Sequence, residues 1–212
     1  LGGWLTFAAI GVSYRLLAMF MLAPELEGIR PRAVLWLGTT ALAVMIVGGL
    51  ALLLQGTTIV PALLVGALLS LVALVLYGAD ILHLFRARKR RIIELNSQMA
   101  AFSLVSLAMT VVLVVALIAI GHFYDHVGAV VFLAAFGWLT GLGLAQLFKI
   151  VAFMTWLECY GPVLGKHETP RVQDLVVERR ARRWFVMYFA ATWSATAALL
   201  FSQTGVFRIA AG

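Results

Sequence analysis

Residues 1–20 read LGGWLTFAAIGVSYRLLAMF, and residues 136–154 read FGWLTGLGLAQLFKIVAFM. Both stretches are apolar, both carry Gly-Trp-Leu-Thr, and both carry a cation eleven residues after the Trp, Arg15 and Lys149. At an offset of 134 residues Gly3, Trp4, Leu5, Thr6 and Ala18 are identical to Gly137, Trp138, Leu139, Thr140 and Ala152. Gly11/Ala145, Tyr14/Phe148 and Arg15/Lys149 are similar pairs. Matches at a Trp and at an intramembrane cation weigh more than matches among aliphatic residues, and they predict a repeat of four helices.

The chain around these stretches is equally apolar. Hydrophobic residues make up 63% of its 212 residues and charged residues 12%, with a mean hydropathy of +1.03. Soluble domains are about half apolar and a quarter charged, so this composition belongs in a bilayer. The predicted fold is an all-α polytopic bundle of six transmembrane helices forming one domain over residues 1–212. The spans are residues 1–23, 33–54, 59–81, 99–121, 127–157 and 184–204. Each supplies the ~20 apolar residues that cross a hydrocarbon core of ~30 Å. Lipid offers no partner to backbone amides, so such spans are helical, and the alternation of a barrel strand is absent. A signal peptide does not explain the first span, since no basic segment precedes it and Tyr14-Arg15 interrupts it.

Charge sorts the connectors. Residues 24–32 hold Arg30 and Arg32, residues 85–91 read FRARKRR with five cations, and residues 160–183 hold Lys166, Arg171, Arg179, Arg180, Arg182 and Arg183. Residues 55–58 and 122–126 hold neither Lys nor Arg, and the tail holds only Arg208. The positive-inside rule places the basic connectors in the cytoplasm and both termini outside. Within the inner loop 160–183, Pro170 after Thr169 suits the start of a short surface helix running to Arg183. The net charge of +7 is explained by cytoplasmic loops and anionic headgroups, not by nucleic acid. The single cysteine, Cys159, excludes an internal disulfide and any multi-cysteine metal site.

Depth arithmetic separates the two cations. Lys149 lies about 22 residues into its span, ~33 Å from the outer end, where its ammonium can snorkel to water. Arg15 lies only ~21 Å from Leu1. If Arg15 matches Lys149 in depth, the first helix should begin before Leu1. Both cations are read as interfacial anchors or as contacts for a propionate, a quinone or a neighbouring carboxylate.

The stretch GGWLTFAAIGVSYRLLAMF resembles the tenth helix of the large subunit of haem–copper oxidases, especially C-type cytochrome oxidases and nitric oxide reductases. Gly3, Trp4, Phe7, Gly11, Tyr14 and Leu16 carry the resemblance. It implies three quasi-repeated arcs of four helices, a respiratory complex, and a bacterial cytoplasmic membrane. It also implies two haem-ligating histidines eight and six residues before the Trp. For Trp138 those positions are Val130 and Phe132, which cannot ligate a metal, and for Trp4 they fall before Leu1. The usual helix-ending Pro is Ala18 here. The expectation is therefore the later helices of a divergent oxidase-like subunit, metal-poor or non-catalytic in itself. It would become an oxidoreductase only if upstream residues or partners supply haem and copper ligands. The partners expected are lipid, other membrane subunits or a second copy. The alternatives are a small transporter or channel, or a purely structural subunit.

Other side chains with chemistry are few. Asp80 and His83 share a helix face at the inner end of the third span, as an interfacial pair or a proton-entry site. His122, Asp125 and His126 could converge on a metal from the outer loop, since nitrogen and carboxylate ligands suit zinc, copper or iron; the alternative is a solvated turn. His167 is expected in the solvated inner loop, and Glu158 beside a basic loop residue. Gly137 and Gly141 form a G-x-x-x-G that permits close helix packing. If the gene extends upstream, sequencing it tests the haem-ligand expectation: His-x-His six to eight residues before Trp4 would strengthen it sharply, and apolar residues there would remove it.

Overall fold

The computed structural model describes residues 3–24, 26, 28–56, 60–89, 93–164 and 168–201. Lys166, His167, Arg90, Arg91, Arg208 and the end of the expected sixth span lie outside them. The described residues form helices and contain no long strand. The helices are α1 (Trp4–Met21), α2 (Ile29–Gln55), α3 (Val60–Ala87), α4 (Leu95–Ala119), α5 (Val127–Tyr160) and α6 (Glu178–Leu200). Four of them, α2 to α5, are long and apolar enough to cross a membrane, which makes this an integral membrane protein. The apolar stretch of α1, Leu5–Met21, is shorter, and α6 opens on Glu178 and four arginines before its apolar part.

Helices run past the expected spans into charged or polar residues. Helix α2 starts at Ile29, so Arg30 and Arg32 occupy its first turn, and Pro31 sits where a missing N–H costs nothing. Gly28 precedes it at φ 131°, a conformation open to glycine. Helix α3 continues to Ala87 and carries Arg86 out of the apolar region. Helix α4 starts at Leu95, four residues before the expected span. In the loop between α5 and α6, residues Val172–Leu175 form a single 3₁₀ turn. Arg179, Arg180, Arg182 and Arg183 belong to the first turns of α6 rather than to a separate surface helix.

The chain divides into two compact units, Leu1–Ile92 and Ile93–Gly212. In the first, α2 packs along α3, and α1 packs on α3. The Phe7 ring of α1 also lies over Gly38 of α2, where a Cβ would stand 2.6 Å from it. Gly66 of α3 likewise admits Met45 of α2. Leu22 ends α1 in the left-handed region at φ 51°, and the Ala23 N–H closes back on the Ala18 carbonyl.

In the second unit α4, α5 and α6 pack together, and the repeated motif lies at their centre. Leu133–Thr140 is π-helical, so Gly137-Trp138-Leu139-Thr140 sits in a widened turn within an otherwise α-helical span. The corresponding residues of α1 are regular, so the sequence repeat is not a backbone repeat. The Tyr188 hydroxyl of α6 donates to the Phe136 carbonyl at 2.7 Å, and Thr140 Oγ1 donates to the Ala135 carbonyl at 2.9 Å. Gly137 faces Ser106 and Gly141 faces Ser103 and Phe189. Ser103, Ser106 and Thr110 of α4 each donate to the carbonyl four residues back, as do Thr192 and Thr196 of α6. Their polarity is thereby met inside their own helices. Ser106 Oγ additionally accepts from Trp193 Nε1 at 3.0 Å.

The glycine stripe makes a direct prediction. A Cβ on Gly137 would stand 2.8 Å from the Ser106 Cβ, whereas one on Gly143 meets nothing within 4 Å. Gly137→Leu should lower stability by about 2 kcal/mol through overpacking, and Gly143→Leu should leave it unchanged or raised. The midpoint of SDS unfolding in mixed micelles checks both.

Candidate functional site

The most polar buried assembly in the second unit lies where α4 begins. Helix α4 runs antiparallel to α5 across the short turn of residues 120–126, so the first turn of α4 meets the far half of α5. Glu94 is the N-cap of α4 but makes no side-chain cap bond to its own helix. Its carboxylate instead meets the Lys149 ammonium of α5 at 2.7 Å. Glu94 is 8% exposed and Lys149 15%, so this is a largely buried ion pair rather than a headgroup-facing anchor. Low dielectric strengthens such an attraction, while desolvation opposes it.

Two amides lie close in sequence to the ion pair. Gln146 precedes Lys149 by one turn on the same face of α5, and Asn96 follows Glu94 into α4. Both are buried, at 4% and 1% exposure, and neither side chain has a hydrogen-bond partner. An unmet buried amide costs about 1–3 kcal/mol, so two of them stand out in an otherwise apolar bundle.

The first unit has its own polar lock. Ser13 Oγ donates to the Ile10 carbonyl at 2.8 Å, which leaves the Tyr77 hydroxyl as the donor in its 2.6 Å bond to Ser13 Oγ. The Tyr14 hydroxyl donates to Asp80 Oδ2 at 3.1 Å, and the Tyr14 and Tyr77 rings meet edge to face at 5.4 Å. Asp80 is 1% exposed and its other oxygen has no partner.

The residues singled out from sequence fall differently. Asp80 turns to Tyr14 on α1, while His83 is exposed, and no hydrogen bond or ion pair joins them. His122 Nδ1 and Asp125 Oδ2 pair at 2.9 Å on an exposed surface, but the His122 and His126 ring centroids are 6.5 Å apart. Residues 121–126 form turns, so the shared helical face that would gather all three does not exist. Among the described residues no group of three or more His, Cys, Asp or Glu side chains is placed to hold a metal. Arg15 is exposed on α1, and Glu158 and Cys159 are exposed at the end of α5. At the two positions where the family resemblance implies haem ligands, Val130 is buried and Phe132 stacks on Phe136 at 4.7 Å. Neither side chain can ligate a haem iron, so these two residues do not fit a haem.

Sequence reasoning missed Glu94, Asn96 and Gln146. Glu94 looked like part of the basic inner connector. The available signal was a carboxylate opening a helix at the membrane depth of Lys149. No protein-family model, curated protein or solved structure matches this chain.

The ion pair can be tested by a cycle of substitutions. Lys149→Met should strand the Glu94 carboxylate and lower stability by about 3 kcal/mol. Glu94→Leu should cost less, because the longer lysine can reach toward water. Glu94→Leu combined with Lys149→Met should recover most of the loss, read again as unfolding midpoints.

Proposed function

We propose that this chain is a helical subunit of a respiratory or other membrane complex, resembling the later helices of a haem–copper oxidase large subunit and non-catalytic in itself. In this reading it has six transmembrane helices with a four-helix pseudo-repeat and both termini outside, in a bacterial cytoplasmic membrane. The observation that supports it best is the use made of the shared motif. Trp138 is 2% exposed and Gly137 abuts Ser106, while Val130 and Phe132 pack as hydrocarbon. The second copy of the motif, in α5, therefore works as packing. Long apolar faces support association with neighbours or lipid: Leu64, Leu68, Val72, Val75 and Leu82 are all exposed along α3.

A small transporter or channel is the second reading, favoured by the unpartnered Asn96 and Gln146 beside Glu94–Lys149. A visible absorption spectrum separates the readings together with a flux assay. The scaffold reading expects the purified chain to show no Soret band and proteoliposomes to show no proton flux above empty vesicles. A Soret band would make it a haem protein, and flux lost in Gln146→Leu would make it a transporter. In Cys159→Ser protein, Tyr124→Cys should label from outside and Val177→Cys only after permeabilisation; the reverse pattern overturns the orientation.

A further inference from the structure

A groove in the second unit is unaccounted for by the helix packing. It has a volume of about 460 Å³ and runs between α5, the 3₁₀ turn and α6. Its wall on α5 is Leu144, Leu147, Phe148, Val151 and Ala152, with Thr155 farthest along the helix. Leu175 and Val176 form the lip, and Phe185 closes the α6 side. Phe148 and Phe185 meet edge to face at 5.7 Å across it. Trp156 Nε1 donates to the Pro170 carbonyl at 2.6 Å, which ties the loop carrying the lip to α5.

We propose that this groove binds one acyl chain of an anionic phospholipid from the cytoplasmic leaflet. The reading rests on the membrane orientation above. Three observations carry it. From Leu144 to Thr155 the groove follows α5 for ~16 Å, about half of a ~30 Å hydrocarbon core and hence one leaflet. Polarity rises in the right order: the deep wall is hydrocarbon, and Thr155 offers a hydroxyl nearer the end, at the level of an ester. Charge then stands at the mouth. Arg182 lies on the face of Phe185, one turn nearer the start of α6, and helical side chains lean toward that end.

The electrostatics around the mouth favour an anion. Residues 171–183 contain five arginines against Asp174 and Glu178. Asp174 accepts from the Arg171 backbone N–H at 3.0 Å, so part of its charge is spent within the turn. Arg179, Arg180, Arg182 and Arg183 are exposed, and no described carboxylate forms an ion pair with any of them. A phosphodiester headgroup meets that guanidinium cluster as a bare acyl chain or a zwitterionic lipid would not. Trp156, Tyr160 and Trp184 stand around the same level, as aromatic residues do at the headgroup boundary.

The test uses the whole chain, purified in mild detergent and mixed with phosphatidylglycerol or phosphatidylcholine of equal chain length. Native mass spectrometry reads the lipid retained. Wild type should retain one phosphatidylglycerol in preference to phosphatidylcholine. Arg182→Gln should reduce that preference about fivefold, the effect of one cation near an anionic surface. Val151→Trp, at a position already 60% exposed, should fill the groove and abolish retention of both lipids. Leu147→Phe is the second groove-filling variant, and circular dichroism confirms that each variant is folded. Equal retention of the two lipids by wild type overturns the proposal. So does undiminished retention by both groove variants, or full competition by glycerol 3-phosphate, which would mean that charge alone binds. Alkaline carbonate extraction of native membranes is read separately. A chain that stays in the membrane but selects no lipid defeats the groove proposal alone, whereas release into the supernatant defeats the membrane reading.

Discussion

Helices that are apolar on every side gain nothing in lipid by turning one side toward another helix, because lipid tails are as apolar as leucine. Association then depends on how closely backbones approach and on the few polar groups that lipid cannot satisfy. The specific contacts between the described helices follow from that constraint. Gly38, Gly66, Gly137 and Gly141 are the places where a neighbouring side chain enters the space of a missing Cβ. Serine and threonine hydroxyls line the same interfaces once their own helices have accepted their protons.

The polar locks settle which faces meet. In the first unit Ser13–Tyr77 and Tyr14–Asp80 join α1 to α3 at adjacent residues of α1, so the register between these helices is specified twice. In the second unit Glu94–Lys149 joins the first turn of α4 to α5, and Trp193–Ser106 joins α6 to α4. These contacts sit at different heights and cannot all be kept if one helix slides by a turn. The π-helical turn of α5 belongs to the same system. It rotates the residues beyond Thr140 relative to those before Leu133, and Tyr188 bonds the Phe136 carbonyl within it.

The two matched cations show how little a sequence repeat says about environment. Arg15 and Lys149 occupy equivalent places after a shared Gly-Trp-Leu-Thr. Lys149 is largely buried against Glu94, while Arg15 is exposed. The aromatic residues just before them fare more alike: Tyr14 meets Tyr77 at 87° and Phe148 meets Phe185 at 86°. Ring packing was carried through the repeat, and the burial of the cation was not.

Composition and run length alone determined that this is a helical membrane protein, because a bilayer of fixed thickness demands about 20 apolar residues and internal backbone pairing. The apolar runs also fall on the described helices α2 to α5, and G-x-x-x-G marked a true packing face. The ends were less legible, since α2 and α3 extend into charged residues, and α4 into polar ones, that hydropathy assigns to loops. Only the tertiary structure decided the polar partners. The Asp80 carboxylate turned to a tyrosine 66 residues away instead of a histidine three residues on, and His122, Asp125 and His126 fell on turns instead of a helix. Glu94 found Lys149 only when α4 lay against α5, and the burial of Asn96 and Gln146 is likewise a product of packing. The reason is physical: apolar burial in a bilayer depends on how many residues are apolar, which any sequence displays, whereas a hydrogen bond or ion pair depends on a few ångströms between helices far apart in the chain.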